Sequence, residues 1–151
     1  MSIVDCGVSI LEGVTVGTAK KCTSADELKE RTKRFALRVV KLCAALPRNA
    51  TTDVLGRQLL RAATSVGANY RAACRARSRS EFVSRMAIVE EEADESAYWI
   101  EMLTESGQIA PRRVSDLREE ADELTAIASA SRKTARTRAN RQSTTRNRQS
   151  Q

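Results

Sequence analysis

The sequence predicts an all-α protein, an antiparallel up-down four-helix bundle with a disordered basic C-terminal tail. Apolar residues recur at steps of three and four through four successive stretches, the period of a helix with one buried face. Aromatic residues make up only 3% of the chain, so a core must rest on Leu, Val, Ile and Ala. That suits close helix packing better than a β-sandwich, whose strands favour aromatic and β-branched residues. The connections between the stretches are short, which favours antiparallel neighbours.

Residues 1–23 alternate apolar and small residues around three glycines. They fit a short hairpin or an ordered arm, receive no assignment, and are set apart as an N-terminal extension. The bundle is read over residues 24–131. Ser24-x-x-Glu27 is a capping box, after which Leu28, Phe35, Val39, Leu42 and Leu46 share one helical face. Pro47 ends that helix, because the residue before a proline is pushed out of the α region.

Thr51, Thr52 and Asp53 offer caps to a second helix striped by Leu55, Leu59, Ala62, Val66, Tyr70 and Ala73. The run of residues 75–80 (RARSRS) breaks the pattern. Ser78-x-x-Glu81 reads as a second capping box, opening a third helix with Phe82, Met86, Val89, Ala93, Ile100 and Leu103 inward. Gly107 is a helix stop and Pro111 a first-turn proline. Val114, Leu117, Ala121, Leu124 and Ile127 stripe the fourth helix. Residues 132–151 contain no large apolar side chain to offset the entropy of ordering, so they are expected to be disordered.

Charge is distributed unevenly. The net charge is +7, yet residues 132–151 hold seven bases and no acid, and the other 131 residues hold 19 of each sign. The four cysteines (Cys6, Cys22, Cys43, Cys74) form no CxxC pair, and the absence of histidine excludes zinc-finger and zinc-knuckle spacings. The first residues carry Asp5 and Glu12 without a basic leader, and no apolar run approaches the ~20 residues that cross a bilayer. A cytoplasmic protein with reduced thiols is the expectation, with no membrane partner.

Four motifs follow one another between Leu28 and Ile127. Leu46-Pro47 comes first, then Gln58-Leu59-Leu60-Arg61-Ala62-Ala63 with Ser65-Val66-x-Ala68-Asn69. Arg77-Ser78-x-Ser80-Glu81-Phe82 is next, and last an acidic run through Glu95 followed by Tyr98-Trp99. In order and spacing this stretch resembles the bacterial four helix bundle protein family, over about two-thirds of the chain. That family includes proteins encoded in intervening sequences of the large ribosomal RNA, and it is similar to the accessory variability proteins of diversity-generating retroelements. Two departures stand out. Gly67 replaces a frequent proline, either residue being expected to bend the second helix, and Ala72-Ala73 replaces a Glu-Gly pair. The resemblance implies a homopentameric ring and, from the retroelement branch, binding to nucleic acid and a reverse transcriptase. The basic tail lies outside it.

Between Arg57 and Arg85 stand seven arginines against one acid, Glu81, whereas Met86–Ala130 holds twelve acids against three bases. Arg57 and Arg61 are expected to pair with Glu91, Glu92 and Glu95 across the hairpin of helices two and three. Arg71, Arg75, Arg77 and Arg79 cluster near the turn, away from acids in sequence. Their guanidinium forks suit phosphate oxygens, although a solvated turn would carry the same residues. In the tail, Arg132, Lys133, Arg136, Arg138, Arg141, Arg146 and Arg148 would attract RNA, DNA or another polyanion with steep salt dependence. The tail has no aromatic residue for base stacking, so sequence reading is not expected of it, and a purely solubilising tail is the alternative. Tyr98, Trp99 and Met102 are candidates for a self-association surface.

Glu92-x-x-Glu95 has the spacing of a bundle di-iron motif but lacks its histidine, so neither a metal nor another cofactor is expected. Cys43 and Cys74 read as small core residues. No phosphate-binding Gly-rich loop and no Ser/His/Asp set is present. The expected function is a non-catalytic, homo-oligomeric bundle that binds nucleic acid as an accessory to an RNA- or DNA-processing machine such as a reverse transcriptase. The competing expectation is an interaction scaffold whose acidic helices dock a basic protein.

Overall fold

The computed structural model describes the backbone of residues 24–148 and side chains as far as Thr137, so the N-terminal extension with Cys6 and Cys22 lies outside the described residues. The order is α1 (Ala25–Ala44), α2 (Ala50–Ala73), α3 (Arg79–Glu105), a 3-10 turn (Pro111–Arg113) and α4 (Ser115–Arg148). The helices form an all-α four-helix bundle in which α2 packs closely on α1 and α3, and α3 on α4. α1 meets α4 far less.

Helix starts are set by side chains that satisfy otherwise unpaired backbone N–H groups. At α1 the Ser24–Glu27 box closes in both directions. At α2 the cap is Asn49 rather than Thr51, Thr52 or Asp53. Its side-chain oxygen accepts from the Thr52 N–H at 3.0 Å, and the Thr52 hydroxyl accepts from the Asn49 N–H at 3.2 Å. Asn is a better cap than Thr, and here the Thr becomes the reciprocal partner three residues on. At α3, Ser78 caps Glu81 as expected, but the Glu81 carboxylate turns back to the Arg77 N–H at 2.9 Å rather than to Ser78.

α3 stops at Gly107, whose φ of 74° is open to glycine without a Cβ clash. The Gln108 N–H returns to the Leu103 carbonyl and the Gly107 N–H to Thr104, both at 3.0 Å, which closes a Schellman motif. α2 runs unbroken through Gly67. A Cβ added there would lie 3.6 Å from the Thr32 carbonyl oxygen of α1, an ordinary contact.

The predicted stripes of α2, α3 and α4 are all buried, together with Leu28, Phe35 and Val39 of α1, while Leu42 and Leu46 lie half-buried against them. Full burial of such a side chain contributes about 1.5–3 kcal/mol. The core also takes in polar residues on the α1 stripe. Arg31 is 6% exposed and Thr32 1%.

The last helix is longer than the apolar stripe predicts. Instead of ending at Ser131, α4 continues helical to Arg148, and Ala135 is completely buried. Ala, Arg, Lys and Gln all favour helix, and the small side chains of Ala128, Ser131 and Ala135 carry the buried face onward.

Candidate nucleic-acid interface

One end of the bundle collects the start of α1, the α2–α3 turn and the C-terminal part of α4. The hydroxyl of Tyr70, near the end of α2, donates to the Ala25 carbonyl at 3.4 Å, which fixes the first two elements together. α4 runs antiparallel to α3, with Arg118 on Glu101 and Arg132 Nε 2.8 Å from Glu90 Oε2. That register carries α4 past the level of Arg79, where α3 begins. The turn arginines and the basic C-terminal helix therefore share one end.

The structure divides the turn arginines. Arg71 in the last turn of α2 and Arg75 in the turn that follows it line a groove of about 660 Å³ between α1 and α2 together with Lys29, Glu30 and Lys33 of α1. Lys29 is held by Asp26 at 2.7 Å and Lys33 by Glu30 at 3.7 Å, both exposed pairs within α1. The Asp26 hydrogen bond raises the Lys29 pKa, against desolvation and against the nearby charge of Arg71. Arg71 and Arg75 are exposed and close no ion pair with a described residue. Leu37 and Val40 extend the groove as an aliphatic wall, 50% and 42% exposed. Arg77 is exposed on the turn and Arg79 half-buried at the start of α3.

The remaining predicted bases lie on α4. Arg132 is engaged with Glu90 and so is part of the bundle rather than of a tail. Lys133 and Arg136 are exposed one turn further on, and Arg138, Arg141, Arg146 and Arg148 continue along the helical backbone.

Most of the acidic charge is used internally. Arg61 meets Glu92 at 3.5 Å and also Glu95, as expected, whereas Arg57 and Glu91 take no part. The antiparallel register that sets Arg61 beside Glu95 sets Arg57 level with Trp99, beyond the acidic run. Arg31, with its side chain 7% exposed, bonds Glu120 through Nε at 2.7 Å and Nη2 at 3.0 Å, and also reaches Glu123. Sequence reasoning missed this buried pairing, which joins α1 to α4. Glu92 and Glu95, the pair with metal-motif spacing, both face the Arg61 guanidinium.

The Trp99 indole N–H donates to Glu95 at 2.9 Å, and Trp99 and Met102 lie half-buried against the core. Tyr98 is 49% exposed and meets the Trp99 ring edge-on at 4.9 Å. Cys43 and Cys74 are half-buried against the core, and burial pushes both thiols up, away from the reactive thiolate. Among the described residues, no group of acids and cysteines is placed to hold a metal, and no helix is long and apolar enough to cross a membrane.

Comparison with known proteins relates the chain to a sequence family and to solved structures. The sequence model of the family described as 23S rRNA-intervening sequence protein matches residues 26–130. A solved structure from Bacteroides thetaiotaomicron, described as a protein with unknown function from the S23 ribosomal protein family, is similar at 30% identity and a TM-score of 0.67. The alignment covers 72% of this chain and 97% of that one. No curated protein matches.

Proposed function

The chain belongs to the 23S rRNA-intervening sequence protein family, and from that premise we propose that it is a non-catalytic bundle that binds RNA at one end. The observation that carries this reading is the basic groove at the end of α2, where the exposed Arg71 and Arg75 stand with Lys29 and Lys33 of α1. Guanidinium forks engage phosphate oxygens bidentately, and several such contacts release condensed counterions together. The family description, which refers to 23S rRNA, favours RNA over DNA as the partner. Self-association through the exposed Tyr98 ring, backed by Trp99, belongs to the same reading and would repeat the basic end around an assembly.

The competing scaffold reading has less to stand on. Seven of the twelve acids between Met86 and Ala130 are already in ion pairs within the bundle, so a basic partner would meet chiefly Glu91, Asp94, Glu105, Asp116 and Glu119. The test is fluorescence anisotropy of the full-length protein with a labelled RNA across a series of salt concentrations. Binding should weaken steeply with salt, and R71Q/R75Q should reduce the slope of log K against log salt by about 1.4 for a single strand. Salt-insensitive binding, or a slope unchanged by the double substitution, would rule the reading out.

A further inference from the structure

We infer that the α1–α2 groove is a site for single-stranded RNA, with a backbone phosphate on Arg71 and Arg75 and an unstacked base laid on Leu37 and Val40. This rests on the RNA-binding reading above and deepens it, because it specifies which form of RNA the basic end selects.

Three features of the groove lead there. Its charge is unbalanced where the ligand would sit. Lys29 and Lys33 have their own acids in α1, but Arg71 and Arg75 close no ion pair with a described residue, and Arg71 lies near enough to Lys29 to oppose its charge. Cations held side by side repel until an anion comes between them. Arg71 lies in the last turn of α2 and Arg75 in the turn directly after it, and both line the same groove, so both can reach one stretch of strand.

The second feature is the wall. Leu37 and Val40 are two of the four large apolar side chains most exposed in the described bundle, and both line this groove. An aliphatic wall in the same groove as two exposed arginines, two to three turns along α1 from Lys29, suits an extended ligand that is charged at one part and flat and weakly polar at the next. A short unpaired strand, with phosphates at one point and an unstacked base a little further along, has that form.

The third feature decides between strand and duplex. An A-form duplex keeps its base faces stacked and offers the protein only phosphates, sugars and base edges. It can satisfy the arginines but cannot place a base face on Leu37 and Val40. An unpaired strand can do both, and the exposed Arg77 follows two residues after Arg75 on the adjoining turn.

The test compares a short labelled unstructured RNA with a duplex of the same length, using full-length protein. Four proteins are measured: wild type, L37S/V40S, R71Q/R75Q and the combination. Leu37 and Val40 are already half exposed, so L37S/V40S should keep its helical circular dichroism and melting temperature. Single-strand binding should exceed duplex binding by about tenfold. L37S/V40S should remove that preference while leaving duplex affinity and salt slope unchanged, and R71Q/R75Q should weaken both ligands.

Equal affinity for strand and duplex, or a preference that survives L37S/V40S, would overturn the inference while leaving the RNA-binding reading in place. Failure to bind either ligand would overturn both. A groove that takes an acidic amphipathic helical peptide in a Leu37- and Val40-dependent way, with RNA unaffected, would also overturn it and mark a protein-docking site.

Discussion

Along α3 and α4, Glu90, Glu92, Glu95, Glu101, Glu120, Asp122 and Glu123 each meet an arginine, two of them around the buried guanidinium of Arg31. Across the molecule, in the α1–α2 groove, Arg71 and Arg75 stand beside Lys29 with no acid of their own. Arginine is thus used in two ways within one small bundle. Where it is paired and shielded it holds helices together. Where it is exposed and set beside like charge it closes no ion pair with a described residue. Burial and pairing separate the two uses, and counts of charge along the sequence do not.

Replacing Arg31 with Ala should have the largest effect on this contrast. It leaves Glu120 and Glu123 facing a partly buried seam without their cation, and stability should fall by about 3 kcal/mol. A urea unfolding midpoint measures it. R31M/E120Q/E123Q, which removes the charges together, should recover much of the loss. If R31A proves neutral, the α1–α4 seam is not held by that pairing, and the two uses of arginine collapse into one.

R61A and R118A test the shallower pairs. The Arg61 side chain is 55% exposed and that of Arg118 31%, so R61A should cost no more than about 1 kcal/mol and R118A only slightly more. A larger loss at either site would mean that screening by water is weaker on that face than its exposure implies.

A smaller effect should appear in acid. Burial pushes the Glu90 carboxyl up, but hydrogen bonds from Arg132 and Ser129 outweigh it and hold it below the ordinary value. Glu95 is held down by the Trp99 indole N–H, against burial, with Arg61 assisting. A carboxyl depressed in the folded state adds stability that is complete above its unfolded pKa, about 4.3, and is lost as pH falls through the lower folded value. R132A should therefore shift acid unfolding, followed by circular dichroism, to slightly higher pH.

The smallest change in stability is expected for R71Q/R75Q, within about 0.5 kcal/mol of wild type in thermal unfolding. Low salt should bring out a slight gain, because repulsion with Lys29 is relieved. A marked loss would show that these two arginines also serve the fold.

Much of the architecture was legible because one simple signal, apolar spacing, governs it. Every residue of the α2, α3 and α4 stripes is buried where the period placed it. The signal falls silent where buried residues are polar or small. Arg31 occupies a stripe position between Leu28 and Phe35, and its partners Glu120 and Glu123 flank Ala121 on α4, a pattern that could have suggested a buried pair. Leu124, Ala128, Ser131 and Ala135 continue a helical period past the last large apolar residue. An argument from hydrophobic bulk ends at Ile127, whereas one from spacing and propensity does not. At the basic end, Arg71 and Arg75 were visible as a cluster, but Lys29 and Lys33 lie some forty residues away and join them only through the packing of α1 on α2.

The length of α4 has a thermodynamic consequence. An isolated peptide of residues 132–148 would have to nucleate its own helix, and a short polar segment rarely does so in water. Inside the protein the nucleus is already made, because the preceding turns are clamped by Leu117, Ala121, Leu124 and Ala128. The basic extension is therefore governed by propagation alone, one residue at a time, with arginine–arginine repulsion as the main opposing force. The helical content of this segment therefore reports propagation out of the packed part of α4, not a nucleation of its own.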